Sequence, residues 1–435
     1  MAEDGNRRRV VATGLGLVTP LGNNVQLTWQ SMLKGKSGIS TIRKWGDLDE
    51  IRNQYNLPQG FPSIAGEVKD FDISEILRER KANHTRDDTK RLKQTDPFIA
   101  HACAASLEAV KDSGLSLPFP DKDRVGVAIG SGQGGIQTLE EQHRRMLAGK
   151  KLSPFFIPRH LANLASGNVS ILLGAHGMNL CPSTACATGA HAVLQAFRAV
   201  QLGYNDIVIV GGTEAAITPL NVYGFHALNA LSTAKVPPDK ASRPFDRYRD
   251  GFVMAEGAGV MILESLARAQ KRSAKIYAEL IGCGEAADAY HITEPNVDGT
   301  ISCMRLALKD AGITPKEVDL VNPHATSTPK GDASEARAIM AVFGQNQTPP
   351  LVTANKSQIG HALGAAGAIE AAITVLSVSN DKVPPISNLE HPDEDCKGLN
   401  FVRGRAVSSP INVAISNSAG FGGTNVSLAF RKFKE

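Results

Sequence analysis

The pattern of apolar and polar positions switches between two periods along the chain. Residues 9–16 read as a short buried strand ending in a glycine turn, and 27–33 take helical spacing. Residues 98–110 predict an alanine-rich apolar helix, and 124–130 a strand feeding Ser131-Gly132-Gln133-Gly134-Gly135. Ala187, Ala190, Val193, Leu194, Phe197 and Val200 recur every three or four residues, which predicts a helix beginning about where Cys186 stands. The run Ile207-Val208-Ile209-Val210-Gly211-Gly212 suits a central parallel strand buried on both faces. Residues 257–264 predict another strand, and 265–275 a basic helix. From 277 a second series follows: strands at 277–282, 318–322 and 412–415, helices at 303–311, 335–343 and 364–378. The alternation predicts an α/β protein of two halves, 1–275 and 276–435, which share one core because no Gly/Ser linker separates them.

Composition narrows the class without naming a function. With 435 residues, 42% hydrophobic and 21% charged, the chain is an ordinary globular one and not a fibre or a membrane protein. A net charge of +4 is too small to argue for nucleic acid, so any acidic partner must be met by a local patch. One such run, Arg78, Arg80, Lys81, Arg86, Lys90, Arg91 and Lys93, reads first as a solvated helix face. Six cysteines without any C-x-x-C pair suggest neither a disulfide framework nor a zinc site, and fit a reducing compartment. The polar start, residues 1–9, lacks the apolar core of a secretory signal.

Four polar clusters carry the candidate chemistry. Cys186 lies among small residues at the start of a helix, where the positive end of the dipole favours a thiolate; a small buried hydrophobe is the plain alternative. His324 stands where a strand runs out at its carboxyl end, the edge at which α/β sheets bind ligands. Lys356 and His361 share a loop before an alanine- and glycine-rich helix, and Asn417 to Asn425 is a glycine loop holding one ring, Phe421. Gly130, Gly132 and Gly135 match G-x-G-x-x-G, but no acid-ended strand follows about twenty residues on, so the loop reads as a tight turn near a ligand.

Taken together, Cys186, His324-Ala-Thr-Ser-Thr-Pro, Lys356 with His361, and Gly-Phe-Gly-Gly-Thr-Asn closely resemble the β-ketoacyl-acyl-carrier-protein synthases of the elongating type, over residues 10–430. That resemblance implies a five-layered αβαβα thiolase-like fold and a homodimer. It implies an acyl group held on Cys186 as a thioester and extended by two carbons from a malonyl carrier protein, with no metal or redox cofactor, the phosphopantetheine arriving on the carrier. By the same resemblance the N–H groups of Cys186 and Phe421 hold the oxyanion, with Phe421 as a gate. His324 and His361 stabilise the enolate, Lys356 supports them, and Glu370 is its structural partner. Thr326 and Thr328 touch the pantetheine arm, and Gln133 stands at the bottom of the acyl pocket. Lys150 and Lys151 match a basic docking pair, with Lys90 and Arg91 as further candidates for meeting an acidic acyl carrier protein.

Departures accompany the match. Ala419 replaces a usual phenylalanine, Gln133 an apolar or glycine position, Pro323 an alanine, and Thr293-Glu294 a common Thr-Ser. Ala325, where bacterial forms often have glycine, leans toward the mitochondrial relatives, and the mitochondrial matrix is the expected compartment, with bacterial cytoplasm or plastid as alternatives. A thiolase would need a second cysteine in 417–425, which contains none; a non-catalytic chain-length subunit commonly lacks the active cysteine. A polyketide ketosynthase is the rival that these motifs separate least.

Overall fold

The computed structural model describes residues 7–58, 60–79 and 86–434; Arg80, Lys81 and the first six residues lie outside them. Eleven strands form one continuous sheet: β1 (Val10–Val18), β2 (Val125–Gly130), β3 (Asn179–Leu180), β4 (Ile207–Glu214), β5 (Gly257–Ser265), β6 (Ala278–Ala287), β7 (Leu320–Asn322), β8 (Leu351–Val352), β9 (Asn400–Phe401), β10 (Val413–Gly420) and β11 (Thr424–Arg431). Their spatial order is β9-β8-β7-β10-β11-β6-β1-β5-β4-β2-β3. Leaving β9 aside, each half runs third, second, fourth, fifth, first. The same strand pairs are parallel and antiparallel in both, which marks a duplicated unit. The two units join where β1 meets β6, with Val10 opposite Leu280 and Ala12 opposite Ala278.

Alternation along the strands sorts the side chains into layers. Val208 and Val210 face inward to α3 (Thr188–Gln201) and α6 (Ala366–Asn380), which are sandwiched between the halves and packed through Val193, Phe197, Ile369 and Ile373. Ile207 and Ile209 face outward to α1 (Pro97–Ser113) and α2 (Leu164–Leu173). On the far side Val321, Ile415 and Ala429 meet α4 (Val297–Ala311) and α5 (Pro329–Phe343). The result is the expected five layers, αβαβα. Helix α6 with its preceding turn is long and apolar enough to cross a membrane, but it is buried between the two halves as a core helix.

Local differences from the sequence reading have simple causes. The basic helix expected over 265–275 covers only Leu266–Lys271, because Ser273 takes the left-handed backbone that ends it. The run at 207–212 is parallel to β2 but antiparallel to β5.

Candidate active site

The nucleophile turn is built by close backbone packing. After β3 the chain enters a 3-10 turn, Ala185–Ala187, that leads directly into α3, so Cys186 stands at the helix start. Ala185 has φ +49, a left-handed conformation that costs a non-glycine residue about 1–2 kcal/mol and is held by its surroundings. Thr188 supplies that hold: its Oγ1 donates to the Ala185 carbonyl at 2.7 Å and accepts from the Thr184 N–H at 2.8 Å. From the other half, Gly420 presses onto the same turn. A Cβ there would lie 2.7 Å from the Thr184 oxygen, so only glycine lets β10 come this near. This approach brings Phe421 to the cysteine. The Phe421 N–H has no backbone acceptor among the described residues, and the Cys186 N–H lies against its own sulfur.

The histidines arrive from two loops of the second half. His324 follows β7 in a loop with φ +34 at Ala325 and +71 at Ser327. Two buried acids on α5 fix that shape. Glu335 accepts from the His324 and Ala325 N–H groups at 2.8 and 2.7 Å, and Asp332 from those of Ser327 and Phe245 at 3.0 and 2.8 Å. His361 is pinned by backbone bonds to Val253 and Ala255, and its ring meets Phe252 edge-on. The two imidazole centroids are 5.2 Å apart at an interplanar angle of 86°. Burial, then the Lys356 cation, holds both rings well below the usual imidazole range, so both are neutral at pH 7. A neutral imidazole offers one N–H donor and one acceptor nitrogen.

Cys186, His324 and His361 line one cavity of about 520 Å³, together with Thr326, Thr328 and Phe421. The hydroxyls of Thr326 and Thr328 bond each other at 3.0 Å, and the Phe421 ring leans on Phe225 with centroids 6.3 Å apart. Lys356, in contrast, does not line the cavity. It is 1% exposed and its Nζ donates to the His324 carbonyl at 2.5 Å and to Glu370. It is therefore a positioning residue and not one that touches substrate. Burial pushes Glu370 up to about 7, against the pull of Lys356.

The thiolate expectation needs correction. Burial pushes the Cys186 thiol up to about 12, with Lys356 only partly opposing it and Glu214 and Glu370 adding to it. Desolvation outweighs the helix end here, so the resting group is a thiol that must lose its proton as it attacks.

Gln133 does not line this cavity. Its loop lies behind the nucleophile turn: the Gln133 and Gly132 N–H groups donate to the buried Glu214, and a Cβ on Gly132 would sit 3.4 Å from the Ala185 oxygen. Ala419 borders both the cavity and a second hollow of about 50 Å³, consistent with the space a missing ring leaves. Lys90, Lys150 and Lys151 are exposed and lie outside the cavity wall. Arg91 is half-buried and its guanidinium bonds Asn168 of α2.

Sequence reasoning missed Asp332, Glu335 and Glu214. A signal existed for the first two: acids three apart on the apolar face of a helix that opens with proline, just after the His324 loop.

Two family models match most of the chain. The description "Beta-ketoacyl synthase, N-terminal domain" fits residues 7–269, and "Beta-ketoacyl synthase, C-terminal domain" fits 277–390. The chain belongs to the β-ketoacyl synthase family. Among synthases of this family, a 3-oxoacyl-[acyl-carrier-protein] synthase 2 of Synechocystis sp. is 45% identical over 98% of this chain and 99% of its own. The Coxiella burnetii protein of the same name is likewise 45% identical over 98% of this chain and 99% of its own. A solved β-ketoacyl synthase from Burkholderia phymatum superposes with a TM-score of 0.87 at 30% identity, covering 98% of this chain and all of that one. A type II polyketide ketosynthase solved in complex with its acyl carrier protein gives 0.86 at 32%, over 99% of this chain and all of that one. These synthase 2 relatives are bacterial, and the lean toward mitochondria drawn from Ala325 finds no support in them. At φ +34 that position favours glycine but admits alanine at modest cost, so the exchange records a backbone tolerance, not a compartment.

Proposed function

We propose that the protein is a β-ketoacyl-[acyl-carrier-protein] synthase that lengthens fatty acyl chains by decarboxylative Claisen condensation. The observation that carries this reading is the shared cavity of a buried thiol and two neutral imidazoles. In the first step the Cys186 sulfur attacks the thioester carbonyl of an acyl carrier, the thiol proton passes to the leaving phosphopantetheine sulfur, and a new thioester forms. The N–H groups of Cys186 and Phe421 suit the tetrahedral oxyanion. In the second step the malonyl carrier loses CO₂, and the N–H of each imidazole stabilises the enolate oxygen. The carbanion then attacks the Cys186 thioester and releases the sulfur as a thiolate, which takes a proton from water to restore the thiol, giving a β-ketoacyl carrier two carbons longer. The electron pair for the new bond comes from the broken carboxylate bond, so the reaction needs no metal or redox cofactor.

Identity of 45% to proteins named 3-oxoacyl-[acyl-carrier-protein] synthase 2, against 32% to the polyketide enzyme, supports the fatty acid reading over its polyketide rival. Residues 1–275 would supply the nucleophile and 276–435 the imidazoles and the Phe421 loop. A homodimer is supported by the open sheet edge at β3, where Leu180 is 47% exposed, and by exposed Phe155, Ile157 and Ile171 nearby in the chain. The bacterial relatives support a cytoplasmic location. Incubating the protein with acyl carriers of graded length and malonyl carrier, then weighing the products, tests the reading; a product two carbons longer is expected, and none would refute it.

Two expected results concern the substrate. Lys150 and Lys151 replaced by Glu should weaken carrier binding about tenfold at low salt while malonyl-CoA turnover changes far less. Equal carrier affinity in titration would remove the docking patch. Gln133→Gly or Gln133→Ile should alter the longest acyl chain accepted, because the loop backs the nucleophile turn; an unaltered length profile would place the acyl pocket elsewhere.

A further inference from the structure

One ion pair at the cavity mouth has no part in the chemistry above. Glu294 and Lys330 both line the catalytic cavity, and both also line a second, more open hollow of about 640 Å³ beside it. Their side chains meet at 2.6 Å across the boundary between the two spaces. Lys330 comes from the first turn of α5, just beyond Thr328, and Glu294 from the loop that leads into α4. That loop is folded by His291, whose Nδ1 accepts the N–H groups of Thr293 and Glu294, both at 3.1 Å. The Lys330 side chain is 76% exposed and that of Glu294 43%, so water competes for the pair. Such pairs hold weakly. Arg337, exposed and two turns along the same helix face, adds a cation to the outer hollow.

On the function proposed above, a phosphopantetheine thioester must put its carbonyl at Cys186 while its phosphate stays at the other end of the arm. A phosphate arriving there meets one cation already occupied and one carboxylate that repels it. We propose that Lys330 receives this phosphate and that Glu294 is its internal competitor, so that the pair sets how strongly the enzyme prefers phosphate-bearing donors. A phosphate binds an ammonium through charge-assisted hydrogen bonds and can displace an exposed carboxylate from it. Asp250 and Asp288 also line the catalytic cavity and Asp395 the outer hollow, but Lys330 borders both spaces and its partner there is Glu294.

The test compares malonyl-phosphopantetheine with malonyl-pantetheine, which differ only in the phosphate, as donors to the acyl-loaded enzyme. The readout is the ratio of their kcat/KM values in the wild type, Lys330→Ala, Glu294→Gln and the double variant. Lys330→Ala should lower the ratio about fivefold, Glu294→Gln should raise it by a similar factor, and Glu294→Gln should add nothing once Lys330 is gone. Ratios equal to the wild type in both single variants would overturn the proposal. If the wild type condenses neither donor, nor any malonyl carrier, the failure belongs to the underlying functional reading.

Discussion

Replacing Cys186 by alanine is expected to lower chain extension by more than about 10⁴-fold, because among the described residues no other thiol borders the cavity to carry the acyl group. The variant should still release CO₂ from malonyl thioesters, since that half of the reaction asks only for the two imidazoles. Exchanging His324 or His361 for alanine should give the opposite split. Acyl transfer to Cys186 would persist, while decarboxylation would fall about 10²–10³-fold for each lost donor. Intact mass of the acylated protein and released CO₂ measure the two halves separately. Parallel loss of both halves in every variant would show that the residues act through the fold and not through their own atoms.

Lys356→Met should be the most destabilising single change near the site. Lys356 and Glu370 are both 1% exposed and pair with each other, so removing the cation strands a buried acid at a cost of about 3–5 kcal/mol. The sign with pH follows from the direction of the Glu370 shift. Burial raises its folded-state pKa to about 7, so the folded protein binds more protons than the unfolded chain between the ordinary carboxyl value and 7. Its contribution to stability is therefore complete at low pH and declines as pH rises through that window. Without Lys356 the acid titrates still higher, so the deficit in urea unfolding should be larger at pH 8 than at pH 5. A deficit that does not change with pH would mean that Glu370 is neutral in both proteins. Because Nζ also holds the His324 carbonyl, the variant should lose decarboxylation more than acyl transfer.

Much of this architecture was legible in the residues, for identifiable reasons. Helix α3 follows from an apolar stripe at helical spacing, and its start places Cys186 correctly because small residues there permit the tight 3-10 turn. Two halves of an α/β protein follow from the two series of strands and helices, whereas the five layers came from the family resemblance, with the helix expected over 364–378 found at 366–380 between the halves. What the sequence hid is whatever depends on contacts between distant segments. Gly420 reads as one more glycine in a loop, and only the packing shows that it brings Phe421 to Cys186. Asp332 and Glu335 stand on the apolar face of their helix, yet only the folded loop shows which N–H groups they clamp. The dipole argument for a thiolate failed for a related reason, since a local motif cannot report how thoroughly the rest of the chain removes water from the sulfur.

All of the chemistry proposed above requires that the acyl chain be carried by one sulfur. Intact-protein mass spectrometry after mixing the enzyme with an acyl carrier measures this directly. The mass should rise by one acyl group, mapped by peptide analysis to Cys186, and malonyl carrier should discharge it as a β-ketoacyl product two carbons longer. An adduct on another residue, or one that malonyl carrier leaves in place, would contradict the account.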